Sequence, residues 1–529
     1  MARSFWRVLG ATSTGLVAVG TVAAAALLAG PWATAVAEPG PALLAQPARA
    51  VNAAPAPAQL VCAPAATLPE GADVGDSQFS ATPVGTASHV VAGVLGKAGH
   101  GAAWTPLGGP AAPLHEGGAM ATLSADPGDA GGVIATQPVS GEAFRAAGVT
   151  SSVTTSGDLR GLAATPCSAP AISQWIVGGS TEVGSTALLT VQNPSAGPAT
   201  VTLAVYGPSG QVALGSQGAF VLGPGQTKVT RLEAVAPDQR RVAVHVASTG
   251  GRVTAHLQVQ SLDGLLARGV DLLGPGVGPS TSVAIPGVMS GGEALDDPNA
   301  PVLRLLVPGT AGGTARVRIY GPSGRVFLRG ADSLDLAPGT VTDLPLGGLP
   351  AGGYGIVVDA DVPVVAAAQY TRQAATPPHA VVAGTLVDVA WVAGQPLPEP
   401  GAAAQVAVPP SVGAVMSLTG VPEDRDATEP EGKAAAVLTA YGADGTKLGS
   451  RDVSIPAGSV VRTAVASIAG EGTPAFVTVD AGDGARVAWA LELSASDGHT
   501  ADRLVAALAP TSSVPAPGAV QVREVDARR

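Results

Sequence analysis

Apolar and polar residues alternate along this chain in short bursts. In the run TARVRIY, Ala315, Val317 and Ile319 point one way while Arg316, Arg318 and Tyr320 point the other, which predicts a strand with one wet face. That run leads into Tyr320-Gly321-Pro322-Ser323-Gly324. The same turn stands at Tyr206-Gly207-Pro208-Ser209-Gly210, and a looser copy at Tyr441-Gly442-Ala443-Asp444-Gly445. Pro at the first central position presets a type I or II turn, and the glycines supply positive φ.

The landmarks after each Tyr are nearly equidistant. Gly225, Gly339 and Gly458 follow a Pro or a Pro-Ala, and then come the paired strands RVAVHVAS and RVTAHLQV, YGIVVDA and VPVVAAAQ, AFVTVDA and ARVAWALEL. Another strand precedes each turn: TALLTVQ, VLRLLVP and AVMSLTG. Tyr206, Tyr320 and Tyr441 are 114 and 121 residues apart, too far for a propeller blade and suited to a whole sandwich domain. The fold class expected is mainly β: tandem antiparallel immunoglobulin-like β-sandwich modules after an N-terminal apolar helix. The boundaries expected are 1–37 for a leader, 38–61 for an Ala/Pro-rich spacer and 62–171 for a β-rich N-terminal region. Three repeats follow at 172–283, 284–390 and 391–510, then a tail at 511–529 with room for a last strand. ADRLVAALA, near the end, is the best helix candidate, and the acidic insertion PEDRDATEPEGK reads as a surface loop that leaves the core untouched.

Composition narrows this picture. With 71 Gly and 46 Pro among 529 residues the chain nears low complexity, but 46% hydrophobic residues argue for many short strands punctuated by turns. A formal charge of -11 with scattered Lys and Arg offers no footprint for nucleic acid. Aromatics at 3% weaken a sugar-binding reading, and Trp6 and Trp32 lie in the leader.

The leader carries Arg3 and Arg7 before an uncharged run from Val8 to Ala37. Ala35-Val36-Ala37 fits signal peptidase cleavage, and the length also fits an uncleaved membrane anchor. Either way the remainder leaves the cytoplasm. Cys62 and Cys167, the only cysteines, then read most simply as a disulfide. A redox or metal pair is the alternative, disfavoured by the lack of CxxC spacing and of a His cluster.

Candidate chemistry is thin. His245 and His256 flank Ser248-Thr249-Gly250-Gly251, and a hairpin there would set them diagonally on one solvent face, without a carboxylate or cysteine to complete a metal site. Asp359 with Asp361, and Asp480 with Asp483, are placed at equivalent inter-strand turns, too few acids for calcium. Gly75-Asp76-Ser77 matches the start of some esterase motifs without the context. Trp175 and Trp391 read as core plugs at module starts rather than a platform. GxSxG, SxxK, HExxH, Walker A and EF-hand patterns are absent from the sequence.

One block is more specific: GLAATPCSAPAISQWIVGGSTEVGSTALLTVQNPSAGPATVTLAVYGPSG from Gly161 to Gly210. Its GLA…C element, Trp-x-Val-Gly-Gly, Leu-x-x-x-Asn-Pro strand and Gly-x-x-Gly turn resemble the actinobacterial secreted proteins of DUF5719. VAIPGV at Val283 to Val288 and the DADVPVVAAAQY stretch fit as well, so the resemblance spans about 60 to 510. It implies an extracytoplasmic protein of unknown function and brings no catalytic residues. The expectation is an exported, non-enzymatic envelope protein with a structural or adaptor role and no cofactor or metal. Its partner would be an envelope protein or glycan, and the membrane itself if the leader is uncleaved. The alternative is a glycan- or ligand-binding accessory of envelope polysaccharide assembly, which would gather Trp104, Trp175 and Trp391 on one exposed groove.

Overall fold

The computed structural model describes residues 49–51, 57–68, 86–139, 142–375, 384–498, 503–514 and 520–522. The leader, most of the spacer and Gly75-Asp76-Ser77 lie outside them. Two compact units emerge, one of Met1–Ala54 with Pro517–Arg529, the other of Pro55–Ala516. In the first, Arg49–Val51 pairs antiparallel with Val520–Val522. No helix among the described residues is long and apolar enough to cross a membrane.

The large unit is mainly β, and every ladder in it is antiparallel. Its strands fall into four copies of one pattern, not three. In modules one, two and four, seven principal strands divide between two sheets; in module three the fifth and sixth are one continuous strand, Gly352–Ala375, which joins the two halves into a single sheet. The first, fifth and third strands make one sheet in that order, and the fourth, second, sixth and seventh make the other. Module one runs from Ala58–Cys62 to Gly161–Pro166, module two from Ser173–Val177 to Leu266–Leu273. Module three runs from Ser280–Ser290 to Thr385–Ala393, and module four from Ala403–Ala407 to Leu504–Leu508. This order differs from the ABED and CFG sheets of an immunoglobulin constant domain. The two-sheet architecture stands; the immunoglobulin order does not.

Module one escaped the repeat count because its third strand, Ala103–Pro106, turns through Pro106-Leu107-Gly108-Gly109 rather than Tyr-Gly-Pro-Ser-Gly. The turn occupies the same place but is of a different kind: Gly109 N donates to Pro106 O at 2.9 Å, and the positive φ, 81°, falls on Gly108 rather than on the last glycine. Two boundaries also move. The cuts expected at 283/284 and 390/391 fall inside Ser280–Ser290 and Thr385–Ala393. The helix expected in ADRLVAALA is the strand Leu504–Leu508, because a short apolar run fits either element and burial on all sides decided it.

The modules close into a ring. The seventh strand of each module packs against the seventh strands of its two neighbours, and module four meets module one in the same way. The first-strand sheet of each module lies on the sixth-strand sheet of the next. Module three's Tyr320 and Val357 pack on module four's Val421, Val460 and Ala488, and module four's Phe476 and Val406 on module one's Met120 and Val149. These seams are apolar because alternating strands here are buried on both faces, each sheet having its own module's core on one side and a neighbouring module on the other. After the seventh strand the chain returns to the first strand of its own module, at Val61↔Ser168, Trp175↔Gly276, Ala284↔Gln395 and Gln405↔Thr511.

Candidate functional site: the axis and the module junctions

At the centre, four sheet edges meet. A seventh strand is the last of its sheet, so alternate N–H groups along its free edge have no ladder partner, and burying them unpaired would be costly. Two carboxylates fill that need. On module three, Asp388 accepts Leu162 N of module one at 3.0 Å, Val505 N of module four at 2.8 Å and Val270 N of module two at 3.4 Å. On module two, Asp271 accepts Trp391 N at 2.8 Å, Ala164 N at 3.4 Å and its own neighbour Leu272 N at 2.8 Å. All four modules are therefore tied through two side chains.

Both carboxylates are fully buried. Burial pushes Asp388 up to about 7 against the opposing pull of its N–H donors, and it raises Asp271 well above the usual carboxylate range, with Asp388 nearby adding to the rise. Close approach of the strands needs small residues opposite. A Cβ on Gly269, itself at φ of 104°, would stand 2.6 Å from Val389 N and 2.8 Å from Asp388 Oδ1. Next to the axis, Arg160 and Asp497 form a 3.0 Å ion pair with both side chains about 95% buried, joining modules one and four. Arg145 and Asp480 add a second link there at 2.6 Å.

The expected sites take other roles. Cys62 and Cys167 form a disulfide, tying module one's first strand to the segment that follows its seventh. The turn residues sit at different depths. Tyr206 is half-buried with its ring centroid 5.7 Å from that of Trp175, Tyr320 is wholly enclosed with its hydroxyl pushed up to about 12 by burial, and Tyr441 is buried. Gly210, Gly324 and Gly445 carry the positive φ expected of the turn, at 115°, 113° and 76°; Gly207, Gly321 and Gly442 do not. The third turn is also a joint, since Gly445 O accepts Ala119 N of module one at 2.9 Å and Ala443 O accepts Thr122 Oγ1 at 2.8 Å.

Two expectations are corrected. His245 and His256 do not share a face: the chain between them crosses from one sheet to the other. His245 stacks on Trp175 at 4.2 Å, whereas His256 is fully buried with its pKa lowered to about 4. Asp359 and Asp361 lie within one continuous 24-residue strand, Gly352–Ala375, not at a turn. The acidic insertion is the surface loop expected, and it also acts as a clasp between modules. Its Arg425 holds Asp359 at 2.8 Å through two nitrogens, and its Asp426 receives Arg318. Trp104, Trp175 and Trp391 are all buried, so they form no exposed groove.

Clefts open where one module's loop between first and second strands faces the next module. One, of about 710 Å³ between modules three and four, is lined by Arg372, Arg462 and Arg503 together with Glu293, Asp297 and Glu492. Glu492 bridges Arg372, at 2.6 Å, and Arg462. No group of three metal-ligating side chains occurs among the described residues. The axial aspartates were missed in sequence; their only signal is a lone acid inside the apolar runs Gly269-Val270-Asp271-Leu272 and Leu386-Val387-Asp388-Val389.

No curated protein matches the chain. Among solved structures it is similar, at 8% identity over 82% of this chain and 91% of the other, to one titled "Biofilm associated protein - BSP domain". The TM-score of 0.12 carries no argument about fold or function. The profile of DUF5719, a family of unknown function, matches residues 122–466, from module one's fourth strand to just past module four's. That span is well over half of the sequence, and the chain belongs to the DUF5719 family.

Proposed function

We propose that the protein is an exported, non-enzymatic scaffold or adaptor of the cell envelope. The observation that carries this reading is the use made of its polar groups: the buried carboxylates and arginines at the axis and seams hold modules together. Asp388, Asp271, Arg160 with Asp497, and Arg425 with Asp359 each join different modules. Catalytic groups need open access to a substrate and a partner poised for proton transfer; these face backbone amides or fixed counter-ions. The Cys62–Cys167 bridge supports an oxidising, extracytoplasmic setting. A ring braced in this way offers a rigid platform whose loops and outer strand edges are available to partners.

The glycan-accessory alternative loses the aromatic groove it called for. Affinity capture with the full-length protein from envelope fractions, scored for protein and for glycan, tests the proposal. The expected result is a retained envelope component without turnover of ester, glycosidic or peptide substrates. Turnover with no retained component would overturn it.

A further inference from the structure

The module junctions share one polar position. In the sixth strands, Gln258 pairs with Leu272, Gln369 with Trp391 and Glu492 with Ala507, and these three axial partners hold the same place in their own strands. Each residue faces the cleft that its module makes with the module before it. Between modules one and two, the chain itself fills the cleft: Gln258 accepts Thr67 N at 2.9 Å and donates to Thr67 O at 2.7 Å. Between modules three and four, the position is acidic, and Arg372 and Arg462 neutralise Glu492. Between modules two and three, Gln369 is half-buried and its side-chain amide has no hydrogen-bond partner among the described residues.

Around Gln369 lies a pocket of about 140 Å³ lined by Arg240, Arg268, Arg304, Gln260 and three serines, and no carboxylate is among its lining residues. Arg304 forms a rigid wall. Its side chain is 6% exposed, sits over the Trp391 ring at 5.0 Å, and is braced by Asp343 at 2.8 and 3.0 Å and by Gly179 O at 2.6 Å. Arg268 donates to Asn299 at 2.7 Å, while Arg240 is exposed and has no described partner. Acids nearby include Asp343, already shared with Arg304 and 3.9 Å from Arg241, the buried Asp388 behind Gly269, the exposed Glu182 between the lining Ser180 and Ser185, and Asp297, which accepts the Asn299 amide. Three guanidiniums thus surround one unpaired amide in a chain whose net charge is -11.

We propose that this cleft binds a single oxyanion, a carboxylate or phosphate group, held by Arg240 and Arg268 with Gln369 donating its amide. Gln369 holds the position of Glu492 but carries no charge, and the ligand supplies the negative charge that Glu492 supplies at the next junction. Guanidinium forks match both groups geometrically, and the space admits one such group with a few waters, each needing about 30 Å³. A uronic-acid glycan would bring a carboxylate and a phosphodiester-bearing polymer a phosphate. This goes beyond the scaffold reading and is tested separately from it, on purified protein rather than by envelope capture.

Calorimetric titration of the full-length protein with glucuronate and with inorganic phosphate distinguishes the two sources. At least one titrant is expected to bind. Arg240→Gln should weaken it about tenfold, the typical loss for one charge-assisted hydrogen bond, and Gln369→Ala should weaken it further. Arg503→Gln, in the neighbouring cleft, should leave it unchanged, with melting temperatures confirming that each variant folds. Absence of heat with both titrants, indifference to Arg240→Gln, or an equal loss with Arg503→Gln would each overturn the proposal.

Discussion

Asp388 does the work of a strand's neighbour without being one. Its two oxygens answer amides from three other modules, so Asp388→Ala strands several buried N–H groups at once. With an unmet buried donor costing about 1–3 kcal/mol, the loss should exceed about 3 kcal/mol in urea unfolding. Asp388→Asn keeps one acceptor oxygen and should lose less. The pH response follows from the raised pKa. The folded chain keeps this proton up to about 7, whereas the unfolded chain releases it near the ordinary carboxylate value. Native protein therefore binds more protons in that window, and the group's contribution to stability is largest at low pH and falls as pH rises to about 7, by at most about 1.4 kcal/mol per unit. Urea midpoints at pH 5.5 and 8, compared between wild type and Asp388→Asn, check this. A pH trend identical in both proteins would contradict it.

At the scale of elements, the local signals were legible where a residue's own periodicity decides the structure. The alternation in the run TARVRIY and the Tyr-Gly-Pro-Ser-Gly turn gave strands and hairpins in the right places, because side-chain direction and turn φ are local properties. Three features were not local. The strand Leu504–Leu508 has a sequence that suits a helix equally well, and only its place among three other buried edges makes it extended. Module one carries the shared strand order with a different turn, so a motif search passes over it. Asp271 and Asp388 are single acids in apolar runs, and their purpose appears only when sheet edges from distant parts of the chain converge. Gly269 belongs to the same geometry. A side chain there strikes the Val389 amide and is strained by the positive φ, so Gly269→Ala should cost on the order of 2 kcal/mol. Thermal melts would show it, while the same change at Gly210, where a Cβ meets nothing within 4 Å, carries only the φ penalty.

For the molecule as a whole, four modules joined in sequence could have stood as beads on a string. Their seams argue otherwise, since neighbouring modules pack sheet against sheet near the axis and the first is locked to the last by Arg160–Asp497 and Arg145–Asp480. Closure also explains why charged residues are used as joints: a chain that must bring its ends together gains specificity from groups that are tolerated only when paired. Rigidity is what such a ring would offer a partner. Small-angle X-ray scattering on residues 55–516 measures this most directly. A closed, compact ring of that length has a radius of gyration of about 23 Å, and that is the value expected. A radius above about 35 Å, as for extended beads rather than one compact body, would contradict the ring.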